Sequence, residues 1–306
     1  MKILVATDKP FAPVAVNGIR EIIEGANMEL VLLEKYTQKQ QLLDAIAEVD
    51  AVIIRSDIID NEVLDAAKKL KIVVRAGAGY DNVDLASATA HNVCVMNTPG
   101  QNANAVAELV FGMILFQLRN HFNGTSGFEA MGKSIGLMAY GNVAHNVARI
   151  ARGFNMTIYA YDPFLTREKI EAEGIIYCET PAELFEKSHF VSLHIPATPQ
   201  TKESINYELV SKMPKGGMLI NTARKEVIHE SELLRIMEER KDLSYVSDIA
   251  PSNAAEFSEK VSGRFMFTPK KMGAQTEEAN INAGLAAAKQ IVGFINNGEE
   301  KFRVNK

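Results

Sequence analysis

Ala139-Tyr140-Gly141-Asn142, between an apolar run and an amphipathic stretch, has residue types and spacing that could grip a nucleotide. SIGLMA (134–139) reads as a strand, and Val143, Val147 and Ile150 recur as on one helix face. TIYAYD (157–162) reads as a second strand that ends on a carboxylate. Asp162 follows Gly141 by 21 residues, where an acid can accept from a ribose 2′-hydroxyl. In such a unit the first glycine makes the tight bend, the second lets the backbone approach a pyrophosphate, and the third permits helix–strand packing. The three positions here are Ala139, Gly141 and Ala144, so the first glycine is missing. Gly141, Asn142 and Val143 are the expected pyrophosphate turn. Pro163 and Phe164 follow Asp162 with no adjacent arginine, which favours NAD over NADP. Such a cofactor would make hydride transfer the chemistry. An ordinary packed βαβ unit fits the same residues.

Elements elsewhere in the chain must position this unit. KILVAT, ELVLL, AVIIR, KIVV and VCVM are strand candidates in the first hundred residues, with amphipathic stretches such as 41–49 and 61–70 among them. A break at Asn97-Thr98-Pro99-Gly100 precedes a long apolar helix over about 102–118. FVSLHI, GMLINTA, LSYVSDI and RFMFTP continue the alternation, and a last helix spans about 276–296. The pattern predicts an α/β protein of two doubly wound parallel-sheet domains, with ligands at the carboxyl ends of the strands. The 306 residues are 47% hydrophobic, enough for two cores. A net charge of −5 with scattered basic residues argues against a nucleic-acid footprint. Cys94 and Cys178 form no disulfide framework or CxxC pair, which suits the reducing cytoplasm. The start MKILVATDKP reads as a strand rather than a signal peptide, and the longest apolar run, 109–116, is too short to span a membrane. The six histidines lack metal-ligand spacing, so no metal is expected.

At Arg75-Ala76-Gly77-Ala78-Gly79-Tyr80-Asp81-Asn82-Val83-Asp84 the sequence resembles the D-isomer-specific 2-hydroxyacid dehydrogenases. Asn97-Thr98-Pro99-Gly100, Val106-Ala107-Glu108, His194-Ile195-Pro196, Leu219 to Arg224 and Ala274 to Asn280 extend the resemblance end to end, closest to the branch that oxidises 3-phosphoglycerate. It implies a Rossmann cofactor domain over 99–282 and a discontinuous flavodoxin-like substrate domain over 1–98 plus 283–306. No regulatory domain is expected where longer members carry one. It also implies NAD as cofactor, a small phosphorylated 2-hydroxy acid as substrate, and a homodimer. Arg224 matches the arginine that binds the substrate carboxylate and polarises the reacting carbonyl; its planar fork suits that task. Ala76 and Gly77 match the substrate loop, where small residues let the main chain approach a ligand. Arg55, Ser56 and Arg75 match the phosphate contacts, although each arginine could instead make a structural ion pair. Asp248 matches the acid that holds the nicotinamide amide, or else caps a turn. His194, Pro196, Thr201, Ala223 and Gly273 complete the implied cofactor contacts, and His194 is equally open to a structural role.

The sequence departs from the family where the proton is handled. The usual histidine after Thr-Pro is Lys270 here, following Thr268-Pro269, and Asn253 stands where its partner glutamate belongs. Lys225 replaces a glycine after Arg224. An ordinary lysine costs about 4.6 kcal/mol to deprotonate at pH 7, so a basic role needs burial or nearby positive charge. Neutral Asn253 removes a group that would oppose this. Protonated Lys270 could donate to the forming alkoxide in the reductive direction. The competing readings are a decayed site that binds NAD(H) silently, and an enzyme for another 2-hydroxy or 2-keto acid such as glyoxylate.

Overall fold

Short apolar runs bounded by turn residues build β1 (Lys2–Thr7), β2 (Glu29–Glu34), β3 (Ala51–Ile54), β4 (Ile72–Arg75) and β5 (Cys94–Asn97). The computed structural model describes residues 1–305. Helices α1 (Pro13–Gly25), α2 (Lys39–Ile46), α3 (Asn61–Ala66) and α4 (Leu85–Ala90) alternate with these strands. The strands pair in parallel in the order β2-β1-β3-β4-β5. Every residue of β3 and β5 is buried, as expected when helices cover both faces of a parallel sheet. The register aligns Ala6, Ile54, Arg75 and Asn97 in one row at the carboxyl ends. The chain goes from β1 to β2 on one side and to β3 on the other. Thr7-Asp8-Lys9 and Arg55-Ser56 therefore leave the sheet at its topological switch point.

A second unit covers residues 103–274. It contains α5 (Ala103–Leu118), β6 (Ser134–Met138), α6 (Asn142–Gly153), β7 (Thr157–Tyr161), α7 (Arg167–Glu171), β8 (Ile176–Tyr177), α8 (Pro181–Lys187) and β9 (Phe190–Leu193). It continues through α9 (Tyr207–Ser211), β10 (Met218–Asn221), α10 (Glu230–Glu239), β11 (Ser244–Ser247), α11 (Ala254–Lys260) and β12 (Phe265–Phe267). The parallel sheet runs β12-β11-β10-β9-β6-β7-β8, with its switch point between β6 and β9. Met138, Tyr161, Leu193, Asn221, Ser247 and Phe267 share one register row. Ala139, Asp162, His194, Thr222, Asp248 and Thr268 are therefore each the first residue beyond a strand, at the same edge. Ile135 and Leu137 pack with Val110, Phe111 and Ile114 of α5 and Val147, Ala148 and Ala151 of α6. Val191, Leu193 and Leu219 belong to a second core with Leu184, Phe185, Leu233 and Phe257.

The chain then returns to the first unit as α12 (Glu277–Asn297). Thr276 Oγ1 caps it by accepting from Ala279 N–H, and Gly298 ends it in the left-handed region (φ 69°). Such a cap contributes about 1 kcal/mol. Ala287 and Ile291 join α1 residues Ala15, Ile19 and Ile23 in one core. The architecture is the expected pair of doubly wound parallel α/β sheets. Helices α2 and α3 stop three to four residues before the apolar spacing suggests, at Ile46 and Ala66. Val49 and Leu70 are buried from turns instead, where Val49 N–H bonds Ile46 O and Leu70 N–H bonds Ala67 O.

Candidate active site

At the β6 edge of the second unit, Ala139 occupies the first-glycine position with φ 71°, a conformation that favours glycine. The turn is held by Ala139 N–H to Tyr161 O (2.9 Å) and by Tyr140 N–H to Asp162 Oδ2 (2.9 Å). Asp162 Oδ1 also accepts from Phe164 N–H at 2.8 Å. Gly141 caps α6, and a Cβ built there meets nothing within 4 Å, so the backbone is open to close approach. Asn142 and Val143 open α6, whose first amides supply donors for an anion. This stretch has the form needed to receive a dinucleotide pyrophosphate.

The neighbouring edge is built by β9 and β10. His194 N–H continues the ladder to Met138 O at 2.9 Å. Its Nε2 is buried without a partner among the described residues, and burial pushes its pKa down to about 3. Thr201 Oγ1 donates to Pro196 O at 2.5 Å and receives Thr198 N–H at 2.8 Å, which closes the loop after β9. Asn221, buried at the end of β10, staples the next turn with both ends of its amide. Oδ1 accepts from Ala223 N–H (2.9 Å), and Nδ2 donates to Arg224 O (3.0 Å). Arg224 Nη1 lies 3.1 Å from Ala223 O.

Asp248, 1% exposed, organises the segment after β12. Its Oδ1 accepts from Thr268 Oγ1 (3.0 Å) and Met272 N–H (2.7 Å), and its Oδ2 from Gly273 N–H (2.7 Å). A Cβ on Gly273 would lie 2.9 Å from Asp248 Oδ2, so glycine is what lets this amide reach the acid. Lys270 and Lys271 are both exposed, and Lys271 Nζ donates to Ala223 O at 2.7 Å, the oxygen that Arg224 also contacts. Lys271 thus contacts the Arg224 turn, while Lys270 is the residue that the family resemblance sets at the histidine position. Asn253 stands just before α11, with Nδ2 3.4 Å from Glu230 O and Oδ1 buried without a partner among the described residues.

In the first unit, Arg55 emerges from β3 with its guanidinium already engaged. Nη1 donates to Lys9 O (3.0 Å) and Pro10 O (3.2 Å), and Nη2 to Asn280 Oδ1 (2.6 Å), with the group over the Phe11 ring. Burial lowers its pKa. Ser56 Oγ lies 3.2 Å from Asp8 Oδ1. Arg75 Nε donates to Arg55 O at 3.1 Å. Gly77 has φ 152°, and a Cβ there would fall 1.4 Å from Arg75 Nη1, so the guanidinium lies directly over this glycine. Ala76 N–H bonds Ile54 O, which fixes the loop to the strand row. No group of three or more metal-ligating side chains occurs among the described residues.

The family described as D-isomer specific 2-hydroxyacid dehydrogenase, catalytic domain, matches residues 5–305. The chain belongs to this family. A crystal structure of NAD+-bound 3-phosphoglycerate dehydrogenase from Entamoeba histolytica is 50% identical and superposes with a TM-score of 0.88, covering 100% of this chain and 99% of that one. The D-3-phosphoglycerate dehydrogenase of Methanocaldococcus jannaschii is 31% identical over 83% of this chain, which spans 51% of that relative's length. The hydroxypyruvate reductase of Thermotoga maritima is 32% identical over 86% of this chain and 90% of its own. Neither composition nor residue spacing distinguishes Asn221, Thr268 or Lys271 as contributors to the candidate site. Asn221 and Thr268 lie inside the family motifs as their strand-end members, which was the available signal.

Proposed function

We propose that the protein is an NAD-dependent D-3-phosphoglycerate dehydrogenase, interconverting 3-phosphoglycerate and 3-phosphohydroxypyruvate as a step of serine synthesis. The observation that carries this is the 50% identity over the whole chain to the E. histolytica enzyme. Support comes from the dinucleotide-type turn, the stapled Arg224 and the lysine pair at one sheet edge. Ala139 to Val143 and Asp162 would hold the pyrophosphate and ribose, with His194, Pro196, Thr201, Ala223, Asp248 and Gly273 along the same edge. NAD supplies a hydride acceptor when bound. Asp162 would repel a 2′-phosphate, which favours NAD over NADP.

Arg224 binds the carboxylate and polarises the reacting oxygen. In oxidation an amine of the Lys270–Lys271 pair takes the hydroxyl proton as the C2 hydride leaves; in reduction the ammonium returns it. Lys270 has the family position, while Lys271 has the contact with the Arg224 turn. Asn253 holds no charge that would oppose a neutral amine. Arg75, with Ala76, Gly77, Arg55 and Ser56, is assigned to the substrate's phosphate end. Loss of turnover in Lys270→Ala with NADH binding intact supports the first lysine, and the same result in Lys271→Ala the second. Full turnover in both variants removes lysine from the mechanism.

A second reading, reduction of an unphosphorylated keto acid, is favoured by two contacts. Arg55 already serves two carbonyls and Asn280, and the Asp8 carboxylate lies on the Ser56 hydroxyl. Both would have to yield to a phosphate. Hydroxypyruvate and glyoxylate are the substrates that test it, and NADH binding without any turnover would indicate a silent cofactor-binding protein. We also propose a homodimer through α5 and the segment after it, where Phe122, Phe128 and Met131 are 67%, 70% and 64% exposed. Cys94 and Cys178 are free and buried, in keeping with a cytoplasmic location. No helix among the described residues is long and apolar enough to cross a membrane.

A further inference from the structure

The residue in the left-handed first position of the cofactor turn is alanine, and a conformation of this kind persists only where its surroundings over-determine it. The backbone contacts of the turn, Ala139 N–H to Tyr161 O and Tyr140 N–H to Asp162, act on one side. A second set acts through Glu173, from the loop between α7 and β8. Tyr140 is 2% exposed, and its hydroxyl donates to Glu173 Oε2 at 2.7 Å. Burial and Glu173 together push the Tyr140 pKa up, so this hydroxyl keeps its proton and stays a donor. Glu173 Oε1 lies 3.1 Å from His145 Nε2, and His145 Nδ1 lies 2.7 Å from Gly141 O. The His145 ring packs on the Tyr140 ring at 4.1 Å between centroids. Arg152 Nη2 in turn donates to the Glu173 carbonyl at 2.6 Å and anchors the loop. One carboxylate therefore braces the two residues that follow Ala139, Tyr140 directly and Gly141 through His145, whose two ring nitrogens each face an acceptor.

We propose that Glu173 is a positioning residue for the cofactor: through Tyr140 and His145 it holds the left-handed Ala139 turn in the shape that receives the dinucleotide pyrophosphate. This brace does the work that conformational freedom does where the first residue is glycine. The inference rests on the reading that the 139–143 turn binds NAD(H). An alanine disfavours the left-handed form by roughly tenfold relative to glycine. Removing the brace lets part of that preference reappear as weakened binding, and restoring glycine makes the brace redundant.

The test is a double-mutant cycle on the full chain, read as the NADH dissociation constant by titration calorimetry. Glu173→Ala is expected to weaken NADH binding by roughly five- to tenfold, and Glu173→Gln, which keeps an acceptor for Tyr140, by about twofold or less. In the Ala139→Gly background the added Glu173→Ala change is expected to cost less than about twofold. Glu173 and His145 side chains are each 43% exposed, and an unchanged melting temperature without ligand excludes a folding loss. Equal penalties in both backgrounds, or no penalty in either, would overturn the brace. Gly141→Val separates the two levels of the argument. If it abolishes NADH binding while Glu173→Ala does nothing, only the brace is wrong. If Gly141→Val binds NADH as the parent does, the turn is not the pyrophosphate site and both ideas go.

Discussion

Replacing Asp248 with asparagine tests the buried acid that holds the segment after β12. The carboxylate satisfies three donors: Thr268 Oγ1, Met272 N–H and Gly273 N–H. An asparagine has one oxygen to offer and one NH2. If the oxygen faces Thr268 and Met272, the NH2 confronts the Gly273 amide; turned over, it confronts Met272. Either way one buried N–H loses its acceptor, a loss of about 1–3 kcal/mol. The remaining bonds also lose charge assistance, roughly 1 kcal/mol each. A destabilisation of about 3 kcal/mol is expected, and the 268–273 segment, with Lys270 and Lys271, should be displaced. The chain has no tryptophan, so urea unfolding is best followed by far-ultraviolet circular dichroism. Turnover should fall more than NADH binding, because the lysines move. An Asp248→Asn protein within about 0.5 kcal/mol of the parent and fully active would refute this account of the segment.

Three further outcomes are expected. His194 is held near pKa 3 when folded and returns to about 6.5 when unfolded. The unfolded chain therefore binds the extra proton, so stability present above pH 6.5 is lost as pH falls toward 3, by about 2 kcal/mol at pH 5. His194→Gln should flatten the dependence of the melting temperature on pH over that range; an unchanged slope counts against it. Gly77→Ala forces a side chain onto the Arg75 guanidinium at φ 152°, and should raise the KM for the keto acid about tenfold or more. An unaltered KM would show that this loop does not touch substrate. Phe122→Ser with Phe128→Ser should convert a dimer to a monomer in sedimentation equilibrium; a parent that is already monomeric contradicts the proposed interface.

The strands were readable because a parallel sheet buried on both faces writes itself as continuous apolar runs, as in AVII and CVMN. The strand-end positions of Asp162, His194 and Asp248 followed from those runs. Side-chain networks were not readable, because their partners are remote in sequence. No local pattern around Arg55 announces its bond to Asn280, 225 residues away. Glu173 sits in an unremarkable loop, and only the fold brings it to Tyr140 and His145. The family resemblance at Thr268-Pro269 marks Lys270, whereas no motif marks its neighbour Lys271. The bend imposed by Asp248 on Met272 and Gly273 accompanies the contact of Lys271 with Ala223.

The most direct measurement is steady-state NADH consumption by the purified chain with 3-phosphohydroxypyruvate, hydroxypyruvate and glyoxylate side by side. A dehydrogenase whose arginines read a phosphate should show kcat/KM for the phosphorylated acid higher by about a hundredfold, since a charged contact is worth roughly 2–3 kcal/mol. Equal or better turnover of hydroxypyruvate, or none with any of the three, would contradict it.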